Sequence, residues 1–122
     1  MSSLTKSTAL ILVVEDEAIV RVCTAALLED AGCKVIEAGD AEEALRAFET
    51  HAQVTTVFTD INMPGPINGL ALAHKIFQMR PNVQLILTSG RGSPPEDEMP
   101  AGGHFLPKPY DCQQLTALIR AG

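Results

Sequence analysis

Acidic, hydroxyl and amine side chains follow four short apolar stretches of this chain, each at the point where the stretch ends. In chain order they are Glu15 and Asp16, Asp60, Thr88 with Ser89, and Lys108. Three carboxylates held close together repel one another, and a divalent cation relieves that repulsion. Because oxygen ligands without His or Cys select a hard ion, the predicted metal is Mg²⁺.

A cation, an ammonium group and a hydroxyl arranged around one carboxylate form a site for a phosphoryl group. The ammonium of Lys108 and the hydroxyl of Thr88 would neutralise and hydrogen-bond the oxygens that carry charge during phosphoryl transfer. The central carboxylate is Asp60, which follows a β-branched run and precedes a Pro/Gly segment. Asp60 is therefore the predicted nucleophile, and its product would be an acyl phosphate.

The elements that must position these residues alternate along the chain. Apolar runs predict five strands, at 8–14, 33–38, 54–59, 83–87 and 104–106, with amphipathic segments between them. Strands that alternate with helices indicate βαβ units and a parallel sheet covered by helices on both faces. Ligands bind at the carboxyl ends of the strands in such sheets, which is where the polar residues fall.

Each predicted helix has an apolar stripe that we expect to face the core. The inward positions are Ile19, Val22, Cys23, Ala26 and Leu27 in the first helix, Ala41, Ala44, Leu45 and Phe48 in the second, Leu70, Ala73, Ile76 and Phe77 in the third, and Leu115, Leu118 and Ile119 in the last. Asp40 and Asp111 are predicted N-caps. The segment 91–103 contains three prolines and three glycines, so we expect one helical turn there at most.

Composition narrows the class of protein. The 122 residues suit one domain, predicted at 8–122 after a disordered tail at 1–7. The net charge of −6 argues against direct nucleic-acid binding and against an anionic membrane surface. Three cysteines without CxxC spacing favour neither a disulfide framework nor a zinc site, so we expect a cytoplasmic protein. No apolar run is long enough to span a bilayer.

Four motifs in order resemble the receiver domain of two-component response regulators, the CheY-like family. They are Glu15-Asp16, Asp60 with Met63-Pro64 and Gly69, Thr88-Ser89-Gly90, and Phe105-Leu106-Pro107-Lys108-Pro109. The resemblance covers nearly the whole chain. It implies an α/β, doubly wound (flavodoxin-like) five-stranded parallel sheet of order 2-1-3-4-5, here with the fourth helix short or missing.

The resemblance also implies a role for each site residue. Asp60 would be the phosphoacceptor and a metal ligand. Asp16 would bind Mg²⁺ directly, Glu15 through water, and Asn62 through its backbone carbonyl. Thr88 and Lys108 would contact the phosphoryl oxygens, and Thr88 with Phe105 would form the conformational switch. Phe105 stands where Tyr is more frequent in the family, and the loop after Asp60 is one residue longer than the commonest pattern.

The implied function is that of a phosphorelay switch. A histidine kinase or a histidine phosphotransfer protein would donate the phosphoryl group, and the domain would catalyse only its own phosphorylation and dephosphorylation. The downstream protein is not identified, and the domain could stand alone or belong to a larger regulator or hybrid kinase.

One alternative is a degenerate receiver that binds partners without phosphorylation. A second is a phosphatase-like hydrolase, which Asn62 disfavours because such enzymes carry an acid/base Asp at that position. A flavin-binding domain is more distant, since Glu15-Asp16-Glu17 would repel phosphate.

Overall fold

The computed structural model describes residues 9–121. The predicted tail at 1–7 and the start of the first predicted strand lie outside this range. The strands are β1 (Leu10–Val14), β2 (Lys34–Ala38), β3 (Thr56–Asp60), β4 (Gln84–Ser89) and β5 (His104–Pro107). The helices are α1 (Ala18–Asp30), α2 (Ala41–Thr50), α3 (Gly69–Met79) and α4 (Cys112–Ala121), with a 3-10 turn at Glu96–Glu98.

The five strands form one parallel sheet in the order β2-β1-β3-β4-β5, which confirms the predicted doubly wound, flavodoxin-like topology. Side chains alternate between the two faces of the sheet, so each strand contributes to two cores. Leu12 and Val57 pack on one face against α2 and α3. Ile11 and Phe58 pack on the other face with residues from α1 and α4. From β1 the chain adds β2 on one side and then β3, β4 and β5 on the other, so the strand order switches between β1 and β3. Such folds bind ligands at this switch point.

Side-chain caps begin three of the helices. Asp40 Oδ1 accepts the Glu43 N–H at 2.8 Å before α2, and Asp111 Oδ1 accepts the Gln114 N–H at 2.8 Å before α4, so both predicted caps are confirmed. Asn68 Oδ1 does the same for the Ala71 N–H at 2.9 Å. These bonds satisfy backbone donors that the first helical turn leaves free.

The predicted inward faces of α2, α3 and α4 are largely confirmed. In α2 the side chains of Ala41, Ala44 and Phe48 are buried and Leu45 is half-buried. In α3, Ala73 and Ile76 are buried as predicted, and Leu72 is a further buried residue that the predicted stripe omitted. Leu115 of α4 is buried, and Leu118 with Ile119 packs against it from a half-buried position.

The predicted inward face of α1 is wrong. Ile19 is 80% exposed, Val22 53% and Leu27 46%, and Cys23 and Ala26 are exposed as well. The helix packs instead through a different side, formed by Thr24, Ala25 and Leu28. The Thr24 hydroxyl lies 3.4 Å from the Tyr110 hydroxyl, which follows β5. Apolar residues occupy most of the circumference of α1, so their spacing did not identify the side that meets the sheet.

The segment between β4 and β5 forms one 3-10 turn, which confirms that the fourth helix of the family pattern is short or missing. Pro100 and the following glycines prevent further helix. A cleft of about 570 Å³ occupies this region, and Met99 and Phe105 contribute to its wall. None of the helices within residues 9–121 combines the length and hydrophobicity that crossing a bilayer requires.

Candidate functional site

The carboxyl ends of the strands bring the predicted site residues to one edge of the sheet. Asp60 is the last residue of β3 and pairs in register with Thr88 of β4. Glu15 directly follows β1, and Lys108 directly follows β5. Parallel strands must end together on one edge, so this gathering follows from the topology.

One carboxylate oxygen from each of Glu15, Asp16 and Asp60 lies within 4.8 Å of the other two. Glu15 and Asp60 are only 5% and 6% exposed, whereas Asp16 is exposed. Burial raises the pKa of Glu15 above its ordinary value, and the negative charge of Asp60 adds to this. The Glu17 N–H, which donates to Glu15 Oε2 at 3.1 Å, and the charge of Lys108 oppose the shift. Three carboxylates this close together repel one another, and a metal ion held among them would relieve that repulsion.

Lys108 supplies the positive charge that the site has in this conformation. Its Nζ lies 2.9 Å from Asp60 Oδ2 and 3.4 Å from Glu15 Oε1. Burial alone would lower the pKa of Lys108, but hydrogen bonding and attraction to Asp60, and then to Glu15, outweigh it and raise the pKa. Lys108 therefore remains an ammonium and can neutralise an anion beside Asp60. The Lys108–Pro109 peptide bond is cis.

The backbone around Asp60 is held in a tight turn. The Asn62 N–H donates to Asp60 Oδ1 at 3.0 Å, and the Gly69 N–H donates to the Ile61 carbonyl at 3.0 Å. A Cβ at Gly69 would lie 1.9 Å from the Asp60 carbonyl oxygen, which is a severe clash with backbone. The glycine at the start of α3 thus allows this helix to approach the end of β3 closely.

The Thr88 hydroxyl is buried and has no hydrogen-bond partner in the described part of the chain. Thr88 is 2% exposed, and its Oγ1 is the buried side-chain oxygen within residues 9–121 that has no hydrogen-bond partner. Leaving a buried polar group unsatisfied costs about 1–3 kcal/mol. Thr88 pairs with Asp60 in the sheet, so the two side chains leave neighbouring strands side by side on the same face.

The remaining predicted residues lie around this centre. Asn62 is exposed, and its side-chain Oδ1 accepts a hydrogen bond from the Ser89 hydroxyl at 2.5 Å. Ser89 Oγ in turn accepts the Arg91 N–H at 2.9 Å, so Ser89 braces the loop after β3. Phe105 pairs with Leu87, one residue before Thr88, and is half-buried at the wall of the cleft. The metal-ligand role of the Asn62 carbonyl and the switch role of Phe105 remain predictions.

One residue of the site region was not predicted from the sequence. Arg21 of α1 donates from Nη1 to the Glu15 backbone carbonyl at 2.9 Å. Its Nε also donates to Glu37 Oε1 at 3.2 Å. The available signal was that Arg21 is the single basic residue in α1, whose other residues are apolar, small or acidic.

Comparison with known proteins assigns the class. The family model for the response regulator receiver domain matches residues 11–120, so the chain belongs to the response regulator receiver domain family. It is 33% identical over 119 residues to the sensor kinase CckA of Brucella abortus (strain 2308) and 31% identical over 113 residues to the aerobic respiration control protein ArcA of Escherichia coli (strain K12). Those matches cover 92% and 90% of this chain. A response regulator receiver domain protein from Clostridium thermocellum superposes with a TM-score of 0.84 at 30% identity, covering 93% of this chain and 92% of that one.

These relatives establish a signalling domain rather than a whole-protein function. The chain spans 12% of the length of the Brucella sensor kinase and 46% of the length of ArcA. The matched segment is therefore only a part of each of these two longer proteins.

Proposed function

We propose that the chain is a phosphorylatable receiver whose phosphoacceptor is Asp60. The single observation that carries this proposal is the buried, unpartnered Thr88 hydroxyl beside a carboxylate that already contacts an ammonium group. A phosphoryl group on Asp60 would give both Thr88 and Lys108 an anionic oxygen as partner. The degenerate-receiver alternative does not account for this arrangement.

The metal of the site is Mg²⁺ in this proposal. Glu15, Asp16 and Asp60 would hold it, with the Asn62 carbonyl as a further ligand. The residues fit because they offer only oxygen atoms, and because their carboxylates lie within 4.8 Å of one another with one ammonium to balance them. When bound, the ion would neutralise charge that develops on the transferring phosphoryl group.

The chemical step is an in-line displacement at phosphorus. A carboxylate oxygen of Asp60 forms the new P–O bond while the P–N bond of the donor phosphohistidine breaks, and the imidazole nitrogen keeps the electron pair of that bond. Lys108 must leave Asp60 Oδ2, from which it is 2.9 Å in this structure, to pair with a phosphoryl oxygen. Water later cleaves the acyl phosphate and regenerates Asp60.

The signal would leave the site through β4 and β5. Phosphorylation adds about −1.5 to −2 charge. Thr88 and Lys108 are drawn to that charge. Thr88 lies on β4, Lys108 directly follows β5, and the segment between these two strands lines the cleft of about 570 Å³ together with Phe105. Phe105 lies at the cleft wall and neighbours Leu106, which pairs with Thr88, so a shift of Thr88 would change how Phe105 packs. An as yet unidentified downstream protein would read this region.

The proposed phosphodonor is a histidine kinase or a histidine phosphotransfer protein. A donor must reach the exposed side of the site, where Asp16 precedes α1. The apolar stripe of α1, defined by Ile19, Val22, Cys23, Ala26 and Leu27, is exposed next to that opening. An exposed apolar patch of this kind is typical of a protein-binding surface, so we assign donor docking to the α1 stripe.

We further propose residues 8–122 as the domain and the cytoplasm as its compartment, where its three free thiols would stay reduced.

Phosphorylation with a small donor tests the proposed acceptor. The wild-type chain incubated with acetyl phosphate and Mg²⁺ should gain the mass of one phosphoryl group, and Asp60→Asn should gain none. Asp40→Asn is the matched control because Asn caps a helix as well as Asp, so this variant should be phosphorylated normally. An unmodified wild-type chain, or a modified Asp60→Asn chain, would refute the proposal.

Calorimetric titration tests the metal separately from the chemistry. The wild-type chain should bind Mg²⁺, and Asp16→Asn should bind it at least about tenfold more weakly, because even residues that only orient metal ligands contribute roughly 10–100-fold to affinity. Asp16 is exposed, so its replacement should leave the core intact. Equal Mg²⁺ affinity in the two proteins would remove Asp16 from the ligand set.

A further inference from the structure

Arg21 connects α1 to the acidic edge of the site through two hydrogen bonds. Nη1 donates to the backbone carbonyl of Glu15 at 2.9 Å, and Nε donates to Glu37 Oε1 at 3.2 Å. The Arg21 side chain is only 21% exposed. A Cβ at Gly39 would approach Nη1 to 3.2 Å, so the glycine after β2 leaves room for the guanidinium.

The bond to the Glu15 carbonyl bears directly on Asp16. The Glu15 carbonyl and the Asp16 nitrogen belong to one planar peptide unit. A hydrogen bond that fixes the carbonyl oxygen therefore also fixes the orientation of the peptide plane at Asp16. The other side of Glu15 is already held, because its N–H donates to the Ala38 carbonyl at 3.1 Å. Arg21 therefore completes the support of the segment that delivers two carboxylates to the site.

Charge and geometry make opposite predictions for Arg21. A guanidinium near a cation site repels the cation, so removing its charge alone would strengthen cation binding. Removing a hydrogen bond that orients a ligand would weaken cation binding instead. The Arg21–Glu37 ion pair contributes little by itself, because the Glu37 side chain is 40% exposed and solvent screens the attraction between the two charges. The direction of the change in affinity thus separates a positioning role from a purely electrostatic one.

We propose that Arg21 is a positioning residue for the cation site, which acts by fixing the Glu15–Asp16 peptide through its bond to the Glu15 carbonyl. This inference rests on the proposed Mg²⁺ site and adds a residue to it that touches neither the ion nor the phosphoryl group. Its prediction is that loss of the guanidinium weakens Mg²⁺ binding although it makes the neighbourhood more negative.

The test compares Mg²⁺ affinity by calorimetry in four proteins. Arg21→Gln should bind Mg²⁺ roughly tenfold more weakly than wild type, the lower part of the range for residues that orient metal ligands. Arg46→Gln removes the same charge from an exposed pair with Glu42 on α2 and should leave the affinity unchanged or slightly higher. Glu37→Gln removes the ion pair but keeps the bond to the Glu15 carbonyl, so its affinity should stay close to that of wild type.

A kinetic measurement distinguishes positioning from a general loss of structure. The rate of phosphorylation by acetyl phosphate is measured against Mg²⁺ concentration, together with the midpoint of thermal unfolding. For Arg21→Gln the half-saturating Mg²⁺ concentration should rise while the rate at saturating Mg²⁺ stays near that of wild type. If Arg21→Gln does not fold, Arg21→Lys gives the same test, because a lysine retains the charge but not the two-nitrogen geometry, and it should also weaken Mg²⁺ binding.

Three outcomes would overturn the inference. The first is an affinity of the Arg21 variants equal to or above that of wild type. The second is an equal weakening in Arg46→Gln, which would show that the loss of affinity does not depend on the bond to the Glu15 carbonyl. The third is an absence of Mg²⁺ binding in the wild-type chain itself, which would overturn the proposed metal site together with the role of Arg21. Normal Mg²⁺ binding in wild type and in Arg21→Gln would overturn the role of Arg21 alone.

Discussion

Helices α1 and α2 both carry an apolar stripe in the sequence, yet only the stripe of α2 lies in the core. Phe48 of α2 is 0% exposed, whereas Ile19 of α1 is 80% exposed. In α2 the remaining positions are mostly charged or polar, so one side alone is available for packing. In α1 a second apolar side, centred on Leu28, meets the sheet. An apolar stripe thus identifies a surface that is more stable when covered. The covering partner can be the protein's own core or another molecule.

The largest expected effect comes from the buried stripe of α2. Phe48→Ala should lower the free energy of unfolding by about 3–5 kcal/mol, because it removes a buried ring and leaves a cavity. The substitution also removes the ring over which the Arg80 guanidinium lies, with Cζ 3.6 Å from the ring centroid. Denaturant unfolding measures the change, and Ile19→Ala is the exposed control, expected within about 0.5 kcal/mol of wild type. Similar losses for both variants would mean that the two stripes do not differ as described.

Two adjacent leucines sharpen the comparison within α1 itself. Leu28 is 0% exposed and Leu27 is 46% exposed, although they are neighbours in sequence. Leu28→Ala should cost about 2–5 kcal/mol of stability, and Leu27→Ala about 0.5 kcal/mol or less. Thermal or chemical unfolding of the two variants decides the matter. A larger loss for Leu27→Ala would restore the inward face that the sequence pattern predicted.

The exposed stripe of α1 should matter for the partner rather than for stability. Ile19→Ser should slow phosphoryl transfer from a phosphorylated histidine phosphotransfer domain by about tenfold, equivalent to about 1.4 kcal/mol, a typical loss for a central interface residue. Phosphorylation by acetyl phosphate should be unchanged, because this small donor needs no docking surface. Both rates are followed by intact mass, with a donor domain that transfers to the wild-type chain. Equal slowing with both donors would place the defect at the site and would count against docking on α1.

The smallest effect concerns the cysteines, which differ in the same way as the two stripes. Cys23 lies exposed on the α1 stripe, whereas Cys33 is half-buried just before β2, where burial raises the pKa of its thiol. The thiolate is the reactive form, and a raised pKa leaves less of it at about pH 8. Alkylation should therefore modify Cys23 first, and the Cys33 rate should continue to rise with pH up to its raised pKa. Peptide mapping after timed alkylation measures both rates. A faster reaction at Cys33 would contradict the assigned burial.

Much of the fold was predictable because local patterns and the topology agreed. Five short apolar runs and the caps Asp40 and Asp111 predicted the order of elements, and the structure confirms it within a few residues at each boundary. The prolines and glycines of 91–103 correctly predicted a single turn, since their backbone restrictions act locally. The gathering of Asp60 and Lys108 was predictable because parallel strands share one carboxyl edge.

The errors and omissions share a physical cause. The side of α1 that packs, the contribution of Leu72 and the bond from Arg21 to the Glu15 carbonyl all depend on which surfaces meet after the elements are assembled. Residues separated in sequence make these contacts, and no local pattern records them. An arginine in an apolar helix could equally have been a solvated charge.

The sequence by itself determined the residue types of the site and the strand ends that carry them. That was enough for the class of domain and for a testable acceptor, because carboxylates, a hydroxyl and an amine at one sheet edge permit few chemistries. Tertiary structure alone decided which groups touch. Lys108 Nζ lies 2.9 Å from Asp60, while the Thr88 hydroxyl is buried without a partner and the apolar stripe of α1 is left open. These are properties of distance and burial, and they arise only when the five strands and their helices pack together.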